Sequence, residues 1–216
     1  MPEPVAILGG TGKEGRGLAA RWSKAGRTVT IGSRDGARAR AAAGEVATLS
    51  GGHVVGTENG EACRAADIIV LATPFDGLEA TVVENADALK GKLVVSAVNP
   101  VRFADGRISV REVAEGSAAE LVAARLPQSR VATAFHNLSA VLLAKLDRDP
   151  DEDVPVAADA EADREVVVEL CRDLGARGVA VGPLSLARYL EGFTAVLLTI
   201  NKLYRTQAGI RFTGLP

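Results

Sequence analysis

The chain has 216 residues, of which 47% are hydrophobic and 24% charged, and its formal net charge is −2. These values are close to the averages of globular proteins, so the composition gives no sign of disorder. A pI near 5.8 without a lysine or arginine tract argues against general nucleic-acid binding, which requires concentrated basic surface. The sequence shows no basic leader and no apolar run near the roughly 20 residues of a membrane-spanning helix. We therefore expect a soluble, cytoplasmic protein whose partners are small molecules, with neither nucleic acid nor membrane among them.

The two cysteines, Cys63 and Cys171, lie far apart and lack the spacing of a metal site or a redox pair. Buried, reduced thiols are the simplest interpretation of such isolated cysteines. We expect no metal site and assign the thiols no chemistry.

Short apolar runs alternate with longer segments of helical composition. The runs that predict strands are Val5–Leu8, Thr28–Ile31, His53–Val55, Ile68–Ala72, Leu93–Ser96 and Val131–Ala134. Leu18 and Trp22 have the spacing of a helix that stops at Gly26, and Gly36–Leu49 is rich in Ala and Arg. Nearly continuous apolar runs are typical of a parallel sheet covered by helices on both faces. The sequence therefore predicts an α/β fold with a doubly wound, Rossmann-type parallel sheet.

The last third of the chain continues this pattern and then becomes helical. The segments are an acidic turn at Asp149–Asp153, a strand at Val154–Ala157, a helix at Glu161–Leu174, a short strand at Val179–Val181, and a mostly apolar helix at Leu184–Tyr204 interrupted by Gly192. We place the nucleotide-binding domain at residues 1–182 and a small C-terminal helical portion at residues 183–216. Because the last helix is too apolar for water, we expect it to pack on the sheet domain or on another subunit, which favours a homodimer.

A glycine-rich loop directly follows the first strand. It contains G-x-G-x-x-G at Gly10, Gly12 and Gly15, and it begins at Gly9. Glycines let the backbone turn sharply and approach a pyrophosphate, while the next helix directs free N–H groups and its positive end at the anion. An ordinary tight turn is the alternative, but the position after a first strand favours a dinucleotide site. The candidate binding residues of this loop are Gly9, Gly10, Thr11, Gly12, Lys13 and Glu14.

The end of the second strand indicates which dinucleotide binds. An NAD enzyme usually places a carboxylate there to accept hydrogen bonds from the ribose 2′-hydroxyl, whereas this chain has Ser33-Arg34. Ser33 can donate to a 2′-phosphate, Arg34 can fork onto it, and Arg38 follows one helical turn later. A solvated basic start of a helix is the alternative. The pattern favours NADP(H) over NAD(H).

The chain leaves the fourth strand through Ala72-Thr73-Pro74. The carboxyl ends of strands form the edge at which ligands bind in such folds. Together with Phe75, which follows directly, these residues are expected to line the path from the pyrophosphate to the nicotinamide, although a simple proline-bearing turn explains each residue equally well.

Several further motifs give the chain a resemblance to one family over nearly its whole length. They are Leu8-Gly9-Gly10-Thr11-Gly12, Gly32-Ser33-Arg34, Val94-Val95-Ser96, Ser117-Ala118-Ala119-Glu120, Asp153-Val154-Pro155-Val156, Gly182-Pro183-Leu184-Ser185 and Gly209-Ile210-Arg211-Phe212. With these motifs the chain resembles the NADPH:F420 oxidoreductases, the coenzyme F420-dependent NADP oxidoreductases. The resemblance implies hydride exchange between nicotinamide carbon 4 and deazaflavin carbon 5, in a cleft between the sheet and the C-terminal helical portion.

The resemblance also implies roles for individual residues. His136, Arg188 and Thr194 match polar positions on the deazaflavin side and are the candidate catalytic residues. The further cofactor-binding candidates are Val98, Asn99, Asn137 and Leu138. Direct hydride transfer requires proximity, alignment and electrostatics rather than a nucleophile, which suits such residues. A satisfied interior imidazole is an equally good interpretation of His136, and helix-surface or packing roles are equally good for Arg188 and Thr194.

Two other functions remain open at this stage. A related NADPH-dependent reductase of an imine, a flavin or a ferric chelate would have the same nucleotide half. A non-catalytic NADP sensor would bind NADPH without turnover. A short-chain dehydrogenase is disfavoured, because neither Tyr189 nor Tyr204 is followed four residues later by the lysine of the usual proton relay.

Overall fold

A large sheet with helices on both faces organises the computed structural model, which describes residues 2–215. The strands are β1 Val5–Leu8, β2 Val29–Ser33, β3 Val54–Glu58, β4 Ile68–Leu71, β5 Leu93–Ser96, β6 Val101–Ala104, β7 Arg107–Val110, β8 Arg130–Thr133, β9 Asp153–Ala158 and β10 Arg177–Gly182. The helices are α1 Lys13–Lys24, α2 Gly36–Ser50, α3 Asn59–Arg64, α4 Leu78–Glu84, α5 Ala86–Leu89, α6 Ala118–Arg125, α7 Ala140–Leu143, α8 Glu161–Asp173 and α9 Ala187–Tyr204. Short 3₁₀ turns at Phe75–Gly77 and Leu184–Leu186 precede α4 and α9.

The main sheet has eight strands in the order β10-β9-β8-β5-β4-β1-β2-β3. The register between β1 and its neighbours pairs Val5 with Val29 and with Ile68. The order reverses at β1, so the loops after β1 and β4 meet at the carboxyl edge, where ligands bind in doubly wound folds. The predicted α/β class and Rossmann-type sheet are confirmed.

One pair of neighbours, β8 and β9, runs antiparallel, which the sequence did not predict. The connection between them carries the one-turn helix α7 and lacks the long crossover helix that normally joins parallel neighbours. Hydrophobic patterning reports that a strand is buried and gives no information on its direction. The ends of several strands also differ from the predicted ones by one to three residues, as β2 ends at Ser33 and β3 begins at Val54.

Alternate residues of the central strands pack into two cores. Val5 and Ile7 point to the core formed with α1, α2 and α8, while Ala6 and Leu8 point to the core formed with α3, α4 and α6. All four side chains are fully buried. Burial on both faces explains why these strands are apolar without polar alternation.

Two buried side chains in the C-terminal half of α1 fix the position of this helix. The Trp22 indole donates to the Leu170 carbonyl at 2.9 Å, and the Arg21 guanidinium donates to carbonyls of the α7 region and to that of Leu174 at 2.9 Å. A buried guanidinium is tolerated when carbonyls satisfy its donors. These bonds hold the other end of α1, its N-terminus, at the carboxyl edge of the sheet.

Helix α9 runs without a break from Ala187 to Tyr204, so the predicted interruption at Gly192 is wrong. A β-carbon at Gly192 would meet only Val110 at 3.7 Å, and a single glycine in an otherwise good helix lowers its stability without breaking it. Glu191 anchors the helix by accepting from the amides of Ala118 at 2.7 Å and Ala119 at 3.0 Å, the first residues of α6.

A two-stranded antiparallel ribbon, β6 and β7, lies beside α9 and was not predicted. Arginines at 102 and 107 interrupt its apolar pattern, and most of its residues are exposed, so a buried-strand signal is missing. Among residues 2–215, no helix has both the length and the apolar character that crossing a bilayer demands.

Candidate functional site

The loop between β1 and α1 owes its shape to three crowded glycines. Gly9 has a φ of +81°, and a β-carbon there would lie 2.6 Å from the Ala72 carbonyl oxygen. A β-carbon on Gly15 would lie 2.6 Å from the α-carbon of Gly10, and one on Gly10 would lie 2.9 Å from the Ile31 side chain. Side chains are therefore excluded by the protein's own backbone and core at these positions. Gly12 differs, because a β-carbon there meets only the Gly9 carbonyl oxygen at 3.4 Å and its free side is open.

The start of α1 presents free donors to this open side. Gly12 caps the helix without a side-chain hydrogen bond, and the amides of Lys13, Glu14 and Gly15 have no acceptor in the described part of the chain. The Arg16 guanidinium donates to the Thr11 carbonyl at 3.0 Å and holds the loop in place. Unpaired amides at the positive end of a helix form a binding site for an anion such as a pyrophosphate.

Basic side chains stand free at the end of β2. Arg34 and Arg38 are exposed, and neither forms an ion pair among residues 2–215. Asp35, the nearest carboxylate, is occupied as the N-cap of α2, since it accepts from the amides of Ala37 at 2.9 Å and Arg38 at 3.2 Å. The strand end therefore offers two unengaged guanidiniums and the Ser33 hydroxyl to a ligand.

These elements surround one long cavity of about 980 Å³, here called the nucleotide cavity. The predicted residues that line it are Gly9, Thr11, Gly12, Lys13, Glu14, Ser33, Arg34, Arg38, Ala72, Thr73, Pro74, Val98 and Asn99. Gly10 lies beneath the loop against Ile31 and shapes the cavity without lining it. The structure thus brings together predicted residues from four segments, those after β1, β2, β4 and β5, at the carboxyl edge of the sheet.

A second cavity of about 490 Å³, here called the acceptor cavity, adjoins the first. His136, Asn137 and Leu138 line it from the loop after β8, and Thr194 lines it from α9. The two cavities share a wall formed by Glu14, Pro74, Phe75, Asp76 and Asn99. Both volumes lie in the range of small-molecule sites, and a shared wall is the geometry that transfer between two bound molecules requires.

A small polar network joins the elements around the acceptor cavity. The Thr194 hydroxyl lies 2.9 Å from Asn99 Oδ1 and 3.1 Å from the His136 carbonyl oxygen, so its single proton serves both acceptors. The Asn99 amide donates to the same carbonyl at 3.4 Å. The network ties α9 to the loops after β5 and β8 and fixes the width of the cavity.

His136 is a buried imidazole with one free nitrogen. Its Nε2 lies 2.7 Å from the Thr133 hydroxyl, which also lies 3.2 Å from the Ser96 carbonyl oxygen. With that hydroxyl donating to the carbonyl, Nε2 carries the proton and Nδ1 is a bare acceptor without a partner. Burial lowers the pKa of His136 to about 3, so the ring stays neutral at physiological pH.

Buried polar atoms without a partner concentrate at the two cavities. Within residues 2–215 six such side-chain atoms occur, and five belong to cavity-lining residues. They belong to Glu14, Asn59, Thr73, His136 and Asn137. Because native proteins rarely leave buried polar atoms unpaired, this distribution indicates that bound ligands or water supply the missing partners.

Arg188 is the predicted site residue that the structure does not bring to the others. It lies in the first turn of α9 and donates to Glu120 at 2.6 Å, beside Gly116. It lines neither cavity. The ion pair with Glu120 raises its pKa, so it remains a cation.

Several cavity residues were not among the predicted ones. Asn59 follows β3, and Asp76 follows the predicted Phe75, which lines both cavities. Their positions directly after strand ends were a usable signal. Arg111 pairs with Asp76 and lies 4.9 Å from the Phe75 ring centre. It was not accessible to sequence reasoning, because it directly follows the unpredicted ribbon.

The fold and the site together define a dinucleotide-dependent oxidoreductase. The defining features are the Rossmann-type sheet, the anion-binding glycine loop, the two free arginines at the end of β2 and the adjoining acceptor cavity. The family profile described as NADP oxidoreductase coenzyme F420-dependent matches residues 4–100. The chain belongs to this family, because full-length members of it are more than 30% identical over nearly all of both chains.

Two of these relatives match this chain over nearly their whole length. The F420-dependent NADP reductase of Methanothermobacter thermautotrophicus is 38% identical, covering 100% of this chain and 97% of the relative. That of Methanocaldococcus jannaschii is 35% identical, covering 98% of each. A crystal structure from Arthrobacter sp. FB24, assigned as an F420-dependent NADP reductase, superposes with a TM-score of 0.85 at 25% identity, covering 98% of this chain and 99% of the other.

Proposed function

We propose that this protein is the enzyme its family membership indicates: an oxidoreductase that transfers a hydride between NADP(H) and the deazaflavin coenzyme F420. The full-length similarity to F420-dependent NADP reductases carries this conclusion. Two cavities that share one wall support it, because each accommodates one reactant. The similarity extends through the acceptor half, which favours F420 over an imine, a flavin or a ferric chelate as the second reactant, and over a sensor without turnover.

In this proposal the nucleotide cavity holds NADP(H). The amides at the start of α1 bind the pyrophosphate, while Ser33, Arg34 and Arg38 recognise the 2′-phosphate. One oxygen of Asp35, Oδ1, is engaged in capping α2, and this helix-capping role accounts for a carboxylate at this position. The free donors and unengaged cations fit the anionic groups of this nucleotide.

The acceptor cavity holds the deazaflavin ring. When bound, the two coenzymes supply a hydride donor carbon and a hydride acceptor carbon. His136, Asn137, Leu138 and Thr194 form its wall, and the network of Thr194 with Asn99 keeps α9 at a fixed distance from the sheet. Arg188 is left out of this assignment because its guanidinium is engaged by Glu120 outside the cavity. Residues 1–182 then form the NADP-binding domain, and residues 183–216 contribute the closing wall.

The assay for this function mixes purified protein with NADPH and oxidised F420 and follows the visible absorbance of the deazaflavin. Loss of that absorbance with formation of NADP⁺ is expected. Folded protein that binds NADPH and leaves F420 oxidised would reject the proposal and favour the sensor.

We also propose that the protein is a homodimer joined through α9. Tyr189, Phe193, Val196 and Leu203 are exposed by 69%, 42%, 47% and 72%, and their spacing of four, three and seven residues puts them on one helix face. An apolar stripe of this length on a water-facing helix marks an association surface. A second copy of the same helix is complementary to it under two-fold symmetry.

Sedimentation equilibrium tests the dimer. Val196→Arg combined with Leu203→Arg should convert a dimer to a monomer, since two buried charges would oppose association. Leu49→Arg, at an exposed leucine on α2, is the matched control and should leave the mass unchanged. A wild-type protein that sediments as a monomer at micromolar concentration would contradict the proposal.

The cytoplasm is the proposed location. Cys63 and Cys171 are free and buried, and burial raises the pKa of Cys63 to about 11, so that thiol stays protonated. Unpaired thiols are usual in proteins of a reducing compartment.

A further inference from the structure

Glu14 lies in the wall that separates the two cavities. It belongs to the first turn of α1 and lines both the nucleotide cavity and the acceptor cavity. The remainder of the shared wall consists of Pro74, Phe75, Asp76 and Asn99. A side chain in this wall is placed between the reactants of the proposed transfer.

The Glu14 carboxyl has no partner of its own. Its Oε1 atom is buried and makes no hydrogen bond within residues 2–215. Burial raises the pKa of Glu14 to about 8, and no neighbouring charge contributes substantially to that shift. A neutral carboxylic acid is the state that such surroundings favour, because an unpaired carboxylate is expensive to bury.

The other ionisable side chains that line the two cavities are paired with another group, lie at the β2–α2 corner, are exposed to solvent or are neutral. Those lining the two cavities are Lys13, Arg34, Asp35, Arg38, Asp76, Arg111 and His136. Arg111 pairs with Asp76, Asp35 caps α2, and the two remaining arginines stand at the β2–α2 corner. Lys13 is exposed to solvent, and His136 is neutral. Glu14 is thus the carboxyl group in the shared wall with a proton available for exchange.

The chemistry of the proposed reaction requires such a proton. Transfer of a hydride to a neutral deazaflavin breaks a C–H bond of the nicotinamide and forms one on the acceptor ring, together with its electron pair. The pair displaced through the ring leaves a negative charge on a ring nitrogen, and one proton must arrive to neutralise it. A carboxyl group between the reactants is suited to this task as a general acid, and as a general base in the reverse direction.

We propose that Glu14 is the catalytic acid of this enzyme: its O–H bond breaks as an N–H bond forms on the reduced deazaflavin, and solvent later reprotonates the carboxylate. The inference rests on the proposed function. It assigns the proton to the N-terminal helix of the nucleotide site rather than to His136, whose single ring proton is held by Thr133.

The first test is spectroscopic and uses the free protein. Infrared difference spectra between wild type and Glu14→Gln should show the carbonyl stretch of a protonated carboxyl at pH 7, and this band should disappear as the pH rises through about 8. No band from Glu14 at pH 7 would overturn the inference. This readout needs no F420, so it is separate from the fate of the proposed function.

The second test is kinetic. Glu14→Gln should lower kcat for F420 reduction by about 100-fold and leave the affinity for NADPH within about threefold, because only proton donation is lost. The wild-type profile of kcat/KM against pH, which reports the free enzyme, should bend near pH 8, and the Gln variant should lack that bend. Glu165→Gln, at an exposed position on α8, is the control and should behave as wild type.

A conservative variant separates catalysis from structure. Glu14→Asp keeps a carboxyl of lower intrinsic pKa, so the bend should move to lower pH while part of the activity returns relative to Gln. Wild-type kcat in Glu14→Gln, or a bend that does not move in Glu14→Asp, would overturn the inference. Wild-type protein that never reduces F420 would reject the proposed function instead.

Discussion

The two cavities are built in different ways. The nucleotide cavity is formed by loops that each follow a strand directly, and its key features are bare backbone and unengaged arginines. The acceptor cavity is formed by segments from distant parts of the chain, held by side-chain bonds such as that of Thr194 to Asn99. The nucleotide cavity therefore depends on room for the ligand beside the backbone and on unpaired hydrogen-bond donors. The acceptor cavity depends instead on where individual side chains are held. Changes in the first should therefore act mainly on folding or nucleotide affinity, and changes in the second on the acceptor.

The largest effect is expected for Gly9→Ala. The new β-carbon would lie 2.6 Å from the Ala72 carbonyl oxygen, at a φ of +81°. Backbone overlap and positive φ together should lower the free energy of unfolding by about 3 kcal/mol and abolish NADPH binding. Urea denaturation and fluorescence titration with NADPH measure the two losses.

Gly44→Ala is the control for this change, since a β-carbon there meets nothing within 4 Å inside α2. It should raise stability by up to about 1 kcal/mol. Equal destabilisation by both variants would show that the crowding of the loop is not what matters.

Next in size is the loss of nucleotide discrimination. Arg34→Ala with Arg38→Ala should weaken NADPH binding by about 100-fold or more and change NADH binding little, because charge-assisted bonds to the 2′-phosphate are lost. Arg40→Ala, on the same helix but outside the cavity lining, should have little effect. Calorimetric titration with both nucleotides checks this. Equal losses for NADPH and NADH would remove the 2′-phosphate assignment.

The buried His136 should make the free energy of unfolding depend on pH. The folded pKa of His136 lies at about 3, below the ordinary value of 6.5. Its stabilising contribution is therefore complete above pH 6.5 and is lost as the pH falls toward 3. Between pH 6.5 and 5 the unfolding free energy should drop by about 2 kcal/mol on this account.

The variant His136→Asn isolates this contribution. Its unfolding free energy, measured in urea at several pH values, should fall less between pH 6.5 and 5 than that of wild type. His53→Asn, at an exposed histidine, serves as the matched control and should follow wild type. Parallel curves for wild type and His136→Asn would contradict a buried neutral imidazole.

The smallest effect is expected for Thr194→Val. The change keeps the shape of the side chain but removes its bonds to Asn99 and the His136 carbonyl, which should cost about 1 kcal/mol of stability. The KM for F420 should rise several-fold while NADPH affinity stays the same. Thr199→Val, whose hydroxyl bonds only the Ala195 carbonyl within α9, is the control. A matching rise in Kd for NADPH would show that the two cavities are not separable.

Local physics made much of the nucleotide half predictable. Burial on both faces required continuous apolar strands such as Val5–Leu8, and steric exclusion required glycine at positions 9, 10 and 15. The free arginines at the end of β2 were evident because charge type and location are properties of adjacent residues. The resemblance over the whole chain supplied the acceptor, which the residues alone left open.

Only the tertiary structure decided the rest. Pairing and packing between different segments decided three features of the fold. These are the antiparallel pairing of β9 with β8, the ribbon β6–β7 and the unbroken helix α9. The same holds for the placement of Arg188 against Glu120 and of Glu14 in the wall between the cavities. A hydrophobic pattern specifies which faces are buried. It does not specify which neighbour buries them, and that choice determines which side chains meet at a site.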